Sequence, residues 1–378
     1  MLRQAIAEFC ALQVNELSPN TVIVNKNQTE LISRLEQLGM TVVPMSFGLG
    51  DGVYVNSETV PSFLDLVIGI DVTEPQSLSA YHSPFPNNTE WISDINRRYD
   101  SSQRIIVFCT ELHQSIVEDL LTLDRPKIEL YLCGVIDHTF QHAQVYRYMS
   151  WFEYGIDFYK NNPNFLSERL KPFETKPLSF DILLGSSRPN RDYVYNFIVE
   201  NNIRTNVIMT YFKSGHIDLR QLNEFILDDP DIEYLQTPAY TGQHVRYHGY
   251  EMPLSQVIPL DIYNQTAYTL VTETNGLNHF NFYTEKIVKP ILTRRLFVVI
   301  AGKNYLHNLR AMGFKTFDGI IDEAYDAVED SDVRWQMAME QVRWLCNQDQ
   351  RTILEVCKPI VEHNCNHMLS TNWHKPLV

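Results

Sequence analysis

Tyr268 to Gly302 reads YTLVTETNGLNHFNFYTEKIVKPILTRRLFVVIAG, and its alternation of character decides the fold class. A buried apolar run, Ala267 to Thr272, ends in the carboxylate Glu273. An asparagine-rich loop follows, with Asn275, Asn278 and Asn281. Thr284, Glu285 and Lys286 then open a helical pattern, Glu285 to Leu292, and a second apolar run, Leu296 to Ala301, returns to strand. Strand runs that are apolar at every position belong to parallel sheets covered by helices on both faces, so the stretch is a strand, helix, strand unit of an α/β protein.

The same alternation extends in both directions. Downstream, Leu306 to Met312 reads as a helix, and Asp322 to Cys365 is mostly helical, with Trp335, Met339, Val342 and Leu345 on one core-facing stripe. Upstream, Phe180 to Leu184 is a strand, Arg191 to Glu200 a helix and Asn206 to Thr210 a strand. Before these, strands are expected at Thr21 to Asn25, Thr41 to Met45, Phe63 to Ile70, Arg104 to Phe108 and Ile128 to Cys133. Helices are expected at Thr29 to Leu38 and Gln114 to Leu123, and a helix and loop region at Ala143 to Asn162. A polar, proline-marked stretch, Pro172 to Pro177, separates the two series. With 378 residues the chain exceeds what one core usually organises. The expected architecture is therefore two successive Rossmann-like α/β domains, 1–172 and 178–350, with a helical extension at 351–378.

Composition narrows the function classes. Hydrophobic residues make up 44% and aromatics 12%, which describes a well-cored globular protein. A formal charge of −15 argues against clamping nucleic acid along an extended basic face. No apolar run is long enough to span a bilayer, and Arg3, Glu8 and Gln13 interrupt the N-terminus in a way that does not suit a signal peptide. A cytoplasmic location is the expectation. Six cysteines are scattered without a CxxC pair, as in reduced proteins. Cys357, His363, Cys365 and His367 match no standard zinc spacing, and the DxD patterns Asp229-Pro230-Asp231 and Asp330-Ser331-Asp332 do not follow apolar strands, so no metal site is expected.

Chemistry concentrates where the strand before Glu273 stops. In open α/β sheets ligands settle beyond the carboxyl ends of strands, and a helix N-terminus offers unpaired N–H groups to phosphate. Thr284 caps such a helix, Lys286 suits a diphosphate, and a carboxylate suits ribose hydroxyls. On spacing alone, a cap at Thr284 and a first-turn dipole partner at Glu285 are the simpler account. Tyr240 to Leu254, with His244, Arg246, Tyr247, His248 and Tyr250, reads either as a loop packing on a nucleotide or as a surface connection.

Glu273, Thr274 and Asn275, followed by Tyr283, Thr284, Glu285, Lys286 and then Phe297 to Val299, resemble the donor-binding signature of the α1,3-fucosyltransferase family. The match departs from that pattern in three places: Thr274 intervenes between Glu273 and Asn275, Tyr283 adjoins Thr284 directly, and Phe297 stands where proline is common. Gly185 to Arg191, GSSRPNR, resembles the segment of that family whose arginine meets the donor diphosphate, which gives Arg188 or Arg191 that role. Ile105 to Ser115, IIVFCTELHQS, resembles the strand that precedes the proposed base, at Glu111. Met149 to Asp157 resembles a segment near the hinge, with Gly155 in place of an arginine. The resemblance implies a GT-B fold, two Rossmann-like domains facing across a cleft, and an inverting glycosyltransferase. Its donor is a nucleotide-sugar, GDP-fucose-like by preference, its acceptor is a glycan or other hydroxyl, and it needs no metal cofactor. Glu111 is the implied base; Arg188, Arg191, Glu273, Asn275, Tyr283, Thr284, Glu285 and Lys286 are the implied donor contacts. Another GDP- or UDP-sugar donor, a non-catalytic nucleotide- or glycan-binding protein on the same scaffold, a two-domain ligand-binding protein of periplasmic type and a DNA-base glycosylating enzyme are the competing readings.

Overall fold

The computed structural model describes residues 21–25, 41–45, 53–55, 66–70, 105–109, 112, 114–212, 232–235, 244–277 and 279–373, with a few isolated positions between 92 and 100. The chain divides into two compact units, Met1–Glu153 with Asn372–Val378, and Tyr154–Thr371. The division falls inside a helix, Ser150–Asn161, and not at the expected linker Pro172 to Pro177. That stretch belongs to the second unit, where the Lys176 backbone N–H donates to Gln350 Oε1 at 2.8 Å.

The first unit carries strands β1 (Thr21–Asn25), β2 (Thr41–Met45), β3 (Val53–Val55), β4 (Leu66–Ile70) and β5 (Ile105–Cys109), helix α1 (Gln114–Leu121), and strands β6 (Ile128–Cys133), β7 (Val135–Ile136) and β8 (Gln144–Tyr148). Strands β4, β5, β6 and β8 form a parallel sheet in that order, and β1 pairs parallel with β2 and antiparallel with β3. Strand β8 departs from the expected helix and loop region. It lies at the sheet edge, and Gln144 and Arg147 face solvent, so it lacks the continuous apolar run that marks an inner parallel strand. The helix expected at Thr29 to Leu38 lies outside the described residues.

Helix α2 (Ser150–Asn161) leads into the second unit. It contains α3 (Asn164–Ser167), β9 (Leu178–Ser186), α4 (Pro189–Glu200), β10 (Val207–Phe212), β11 (Ile232–Leu235), β12 (His244–Tyr247), β13 (Tyr250–Pro253), α5 (Leu260–Gln265), β14 (Thr266–Thr272), β15 (Phe280–Asn281), α6 (Glu285–Leu292), β16 (Phe297–Ile300), α7 (Tyr305–Ala311), α8 (Ser331–Leu345) and α9 (Gln350–Ser370). Its main sheet is wholly parallel, in the order β10-β9-β14-β16. All seven residues of β14 and all four of β16 are buried, so β16 reads as an unbroken apolar run and β14 as one interrupted only by threonines. The α/β class holds, with parallel sheets in both units.

Of Tyr240 to Leu254, residues 240–243 lie outside the described residues, and the rest is largely strand. His244–Tyr247 and Tyr250–Pro253 form a hairpin, joined to β11 in an antiparallel sheet. The two turn residues, His248 and Gly249, have φ of 47° and 85°, the left-handed pair that a two-residue hairpin turn requires. Arg246 is held between Glu233 and Glu251 at 2.6 and 2.9 Å, and the Tyr247 hydroxyl accepts the Leu260 N–H at 3.0 Å. These groups are occupied within the sheet and its own packing.

Beneath the main sheet lies a buried ion pair. Arg295 donates to Asp181 Oδ1 at 2.7 Å, to both Thr266 and Thr269 hydroxyls at 2.8 and 3.0 Å, and to the carbonyls of Tyr263, Thr266 and Tyr268. Its guanidinium lies 4.4 Å from the centroid of the Tyr263 ring. Its strand partners, Asp181, Thr266, Tyr268 and Thr269, all lie short of the carboxyl ends of β9 and β14.

Candidate functional site

The strand order locates a ligand site before any side chain is considered. From β9 the chain crosses through α4 to β10 on one side, whereas β14 lies on the other side of β9 and crosses through α6 to β16. The connections that leave β9 and β14 therefore diverge between two neighbouring parallel strands. A crevice opens at such a switch point, beyond the carboxyl ends. The segments that border it are Gly185 to Asn190 and Glu273 to Thr284.

Two cations from these segments meet at Thr274. Arg188, at the N-cap of α4, donates from NH1 to the Thr274 carbonyl at 3.0 Å. Lys286, in the first turn of α6, places Nζ 3.4 Å from Thr274 Oγ1, 3.2 Å from Thr284 Oγ1 and 3.1 Å from Glu285 Oε1. Its side chain keeps 30% of its exposure, so the ammonium remains reachable from solvent. Burial opposes ionisation of Glu285, but Lys286 and Lys289 outweigh it and hold its carboxyl below the usual range. Thr284 caps α6 as the sequence suggests, its hydroxyl accepting the Lys286 N–H at 3.3 Å.

Several expected contacts turn out to be braces. Glu273 has no solvent exposure, and both of its carboxylate oxygens are engaged internally. Its Oε2 accepts the Thr284 hydroxyl at 2.8 Å, while Oε1 accepts the Tyr305 hydroxyl at 2.7 Å and the Thr284 N–H at 3.4 Å. Burial pushes its carboxyl up, against the pull of Lys286 and these hydrogen bonds. Glu273 thus ties the carboxyl end of β14 to the start of α6 and to α7. Tyr283 is equally buried, its hydroxyl donating to the Tyr305 carbonyl at 2.8 Å and its ring 4.3 Å from that of Tyr305. Asn275 donates to the Leu277 and Phe280 carbonyls and accepts the Leu277 N–H, which folds the loop on itself. Arg191 is buried against Gly185, its NH1 3.2 Å from where a β-carbon on that glycine would sit. Of the donor contacts expected from sequence, Arg188, Thr284, Glu285 and Lys286 come together at the crevice edge. Glu273, Asn275, Tyr283 and Arg191 shape its wall. Glu111 lies outside the described residues.

Residues that the sequence reading did not single out complete the wall. Asn190 donates to the Glu273 carbonyl at 3.1 Å, and a β-carbon at Gly276 would stand 2.8 Å from the Asn190 side chain. At Gly302 a β-carbon would collide with the Leu277 carbonyl, a backbone atom that can yield only if the loop moves. Arg334, buried beneath, donates to the Gly276 and Ala301 carbonyls at 3.0 and 3.1 Å. None of these carries a local pattern, since each partner is distant in sequence.

Lys289, one turn beyond Glu285, is pushed down to about 8 by burial, against the pull of Glu285. A lysine that loses its proton more readily when folded carries a cost below pH 8, because the native state must hold a poorly solvated cation. That cost is relieved as the pH rises from about 8 towards the ordinary value of 10.5. Lys289→Met is therefore expected to raise the melting temperature at pH 7 and to lose that advantage by pH 10, read by calorimetry at both values. An advantage that grew with pH would contradict the assignment.

Among the described residues no group of three or more His, Cys, Asp or Glu is placed to hold a metal ion. Asp330 of the second DxD pattern caps α8 by accepting the Val333 N–H at 3.0 Å, and Asp229 and Asp231 lie outside the described residues. His363 and His367 instead engage the Gly313 and Met312 carbonyls at the end of α7. No described helix is long and apolar enough to cross a membrane. No family model, no curated protein and no solved structure matches the chain.

Proposed function

We propose that the protein is an inverting glycosyltransferase of GT-B type, whose second unit holds a nucleotide-sugar by its diphosphate. The observation that carries the proposal is the meeting of Arg188 and Lys286 at Thr274, on the switch point of the parallel sheet and beside the capped start of α6. A guanidinium and an ammonium brought together from segments far apart in sequence suit two phosphate groups, one by its fork and the other as a point charge. The order of the four motifs that resemble the α1,3-fucosyltransferase family favours a GDP-sugar, with fucose as the first candidate. A UDP-sugar is the second.

In this reading Glu111 accepts the proton of an acceptor hydroxyl as that oxygen attacks the anomeric carbon from the face opposite the diphosphate. The bond from that carbon to the diphosphate oxygen breaks, the nucleoside diphosphate leaves with the bonding pair, and configuration inverts. Arg188 and Lys286 meet the charge that develops on the leaving group, the form of stabilisation that contributes most to such steps, and the reading calls for no metal.

Thermal shift with GDP, UDP, CDP, ADP and their sugars tests the reading, since a ligand that binds only the folded state raises its apparent stability. Selective stabilisation by GDP or a GDP-sugar is expected. Lys286→Ala is expected to weaken that binding about tenfold or more, as loss of a hydrogen bond to a charged group does. A flat response across the panel would remove the basis of the proposal.

A further inference from the structure

The second unit carries another concave surface, remote in sequence from the crevice residues. It is a groove of about 580 Å³. Ile320, Ile321 and Asp322 border it on one side, and Gln341, Trp344 and Asn347, at and just beyond the end of α8, on the other. The groove is built before any ligand arrives. Ile320 and Ile321 both donate their N–H groups to the Phe317 carbonyl, Ala324 N–H is held by Asp322 Oδ1 at 2.9 Å, and Asp322 N–H is held by Gln341 Oε1 at 3.0 Å. That last bond fixes one wall to the other.

Trp344 is the feature that needs an explanation. Its indole is 41% exposed within a concavity, whereas Trp335, on the same helix, and Trp373 are buried. Around it stand polar groups with capacity unused among the described residues. Gln341 keeps its side-chain N–H₂, Asp322 its second carboxylate oxygen, Asn347 its side-chain carbonyl, and Trp344 its indole N–H. Asn347 is oriented by its own N–H₂, which donates to the Arg343 carbonyl at 2.8 Å. The local charges largely cancel, because Arg343 is paired with Glu340 and only Asp322 remains.

We infer that this groove binds a neutral saccharide. An aromatic face offers the apolar surface that the C–H face of a pyranose ring covers, and a polar rim of one carboxylate and two planar amides suits hydroxyls that donate and accept at once. A nucleotide or other polyanion is disfavoured by the Asp322 carboxylate, which has no ion-pair partner among the described residues. An extended peptide adding to a sheet edge finds no strand here, since the walls are a helix and a short loop. The inference does not depend on the transferase reading, because no residue of the Arg188 and Lys286 crevice takes part.

The full chain is titrated with four neutral hexasaccharides, made of β1,4-glucose, α1,4-glucose, β1,4-mannose and β1,4-N-acetylglucosamine. Tryptophan fluorescence and saturation-transfer NMR are the readouts, with Trp344→Ala and Gln341→Leu beside the parent. Binding of at least one saccharide is expected, weakened about tenfold or more by Trp344→Ala at an unchanged melting temperature, and measurably by Gln341→Leu. Trp344 is exposed, so its variant is expected to fold, whereas Gln341 is half-buried and Gln341→Leu also gives up the bond to the Asp322 N–H. No binding of any of the four, binding indifferent to Trp344, or a self-association by sedimentation that Trp344→Ala abolishes would each overturn the inference, the last by assigning the surface to a second copy of the chain.

Discussion

Arg295→Met is expected to lower the melting temperature of the Tyr154–Thr371 unit by roughly 10 °C or more, a loss of about 3 to 5 kcal/mol. The guanidinium is 4% exposed and its partner Asp181 1%. Removing the cation leaves a carboxylate in the interior with only the Thr266 and Thr269 hydroxyls for company, at 3.3 and 2.9 Å. It also strips donors from the Tyr263, Thr266 and Tyr268 carbonyls. Asp181 uses a single oxygen for all of its bonds, and its Oδ2 has no partner among the described residues, so the pair cannot rearrange to compensate. Removing both charges, as in Asp181→Leu with Arg295→Met, is expected to recover much of the loss, because the largest penalty comes from the ion left alone. Chemical denaturation of the two singles and the double measures this directly. A single variant that melts with the parent would mean that water reaches the site and solvates the remaining charge.

That network was invisible in the sequence, and the reason is instructive. Asp181 stands in an apolar run and Arg295 beside Arg294, and nothing local links them across β9, β14 and the turn before β16. Where information is local the sequence was sufficient. The apolar runs of β14 and β16, the cap at Thr284 and the start of α6 all follow from periodicity and turn chemistry. The hairpin of β12 and β13 was legible in principle from His248-Gly249 between alternating residues, but its aromatic and basic composition invited a ligand-facing interpretation.

The crevice shows the same boundary at finer grain. A motif reveals which residues cluster and is silent on which of them point inward. Glu273 and Lys286 read as equivalent polar candidates, yet one is sealed by Thr284 and Tyr305 and the other reaches solvent. Tyr305, whose hydroxyl donates to Glu273 and whose carbonyl accepts from Tyr283, belongs to the next helix. A carboxylate buried in this way fixes the Thr284 cap, and through it the position of the Lys286 ammonium.

Under the proposed transferase reading, the largest effect on turnover is expected at Glu111. The residue follows β5, an inner strand paired in parallel with both β4 and β6, and precedes α1, which begins at Gln114. That position is one of chain order only, since Glu111 lies outside the described residues, and its role as base is what the resemblance implies. Loss of a general base costs on the order of 10² to 10⁴ in rate, and because a base acts on the acceptor hydroxyl, donor affinity is not involved. Glu111→Ala is accordingly expected to cut kcat by that range while the nucleotide dissociation constant stays within about twofold, a change of under roughly 0.5 kcal/mol. Lys286→Ala reverses the pattern, with weaker nucleotide binding as its first effect. The competing role for Glu111 is local, helping to satisfy the N–H groups at the start of α1. In that case Glu111→Ala loses about 1 kcal/mol of stability and keeps its turnover. Melting temperature, nucleotide affinity and initial rate, measured together on the one variant, separate a residue that moves a proton from one that holds a helix.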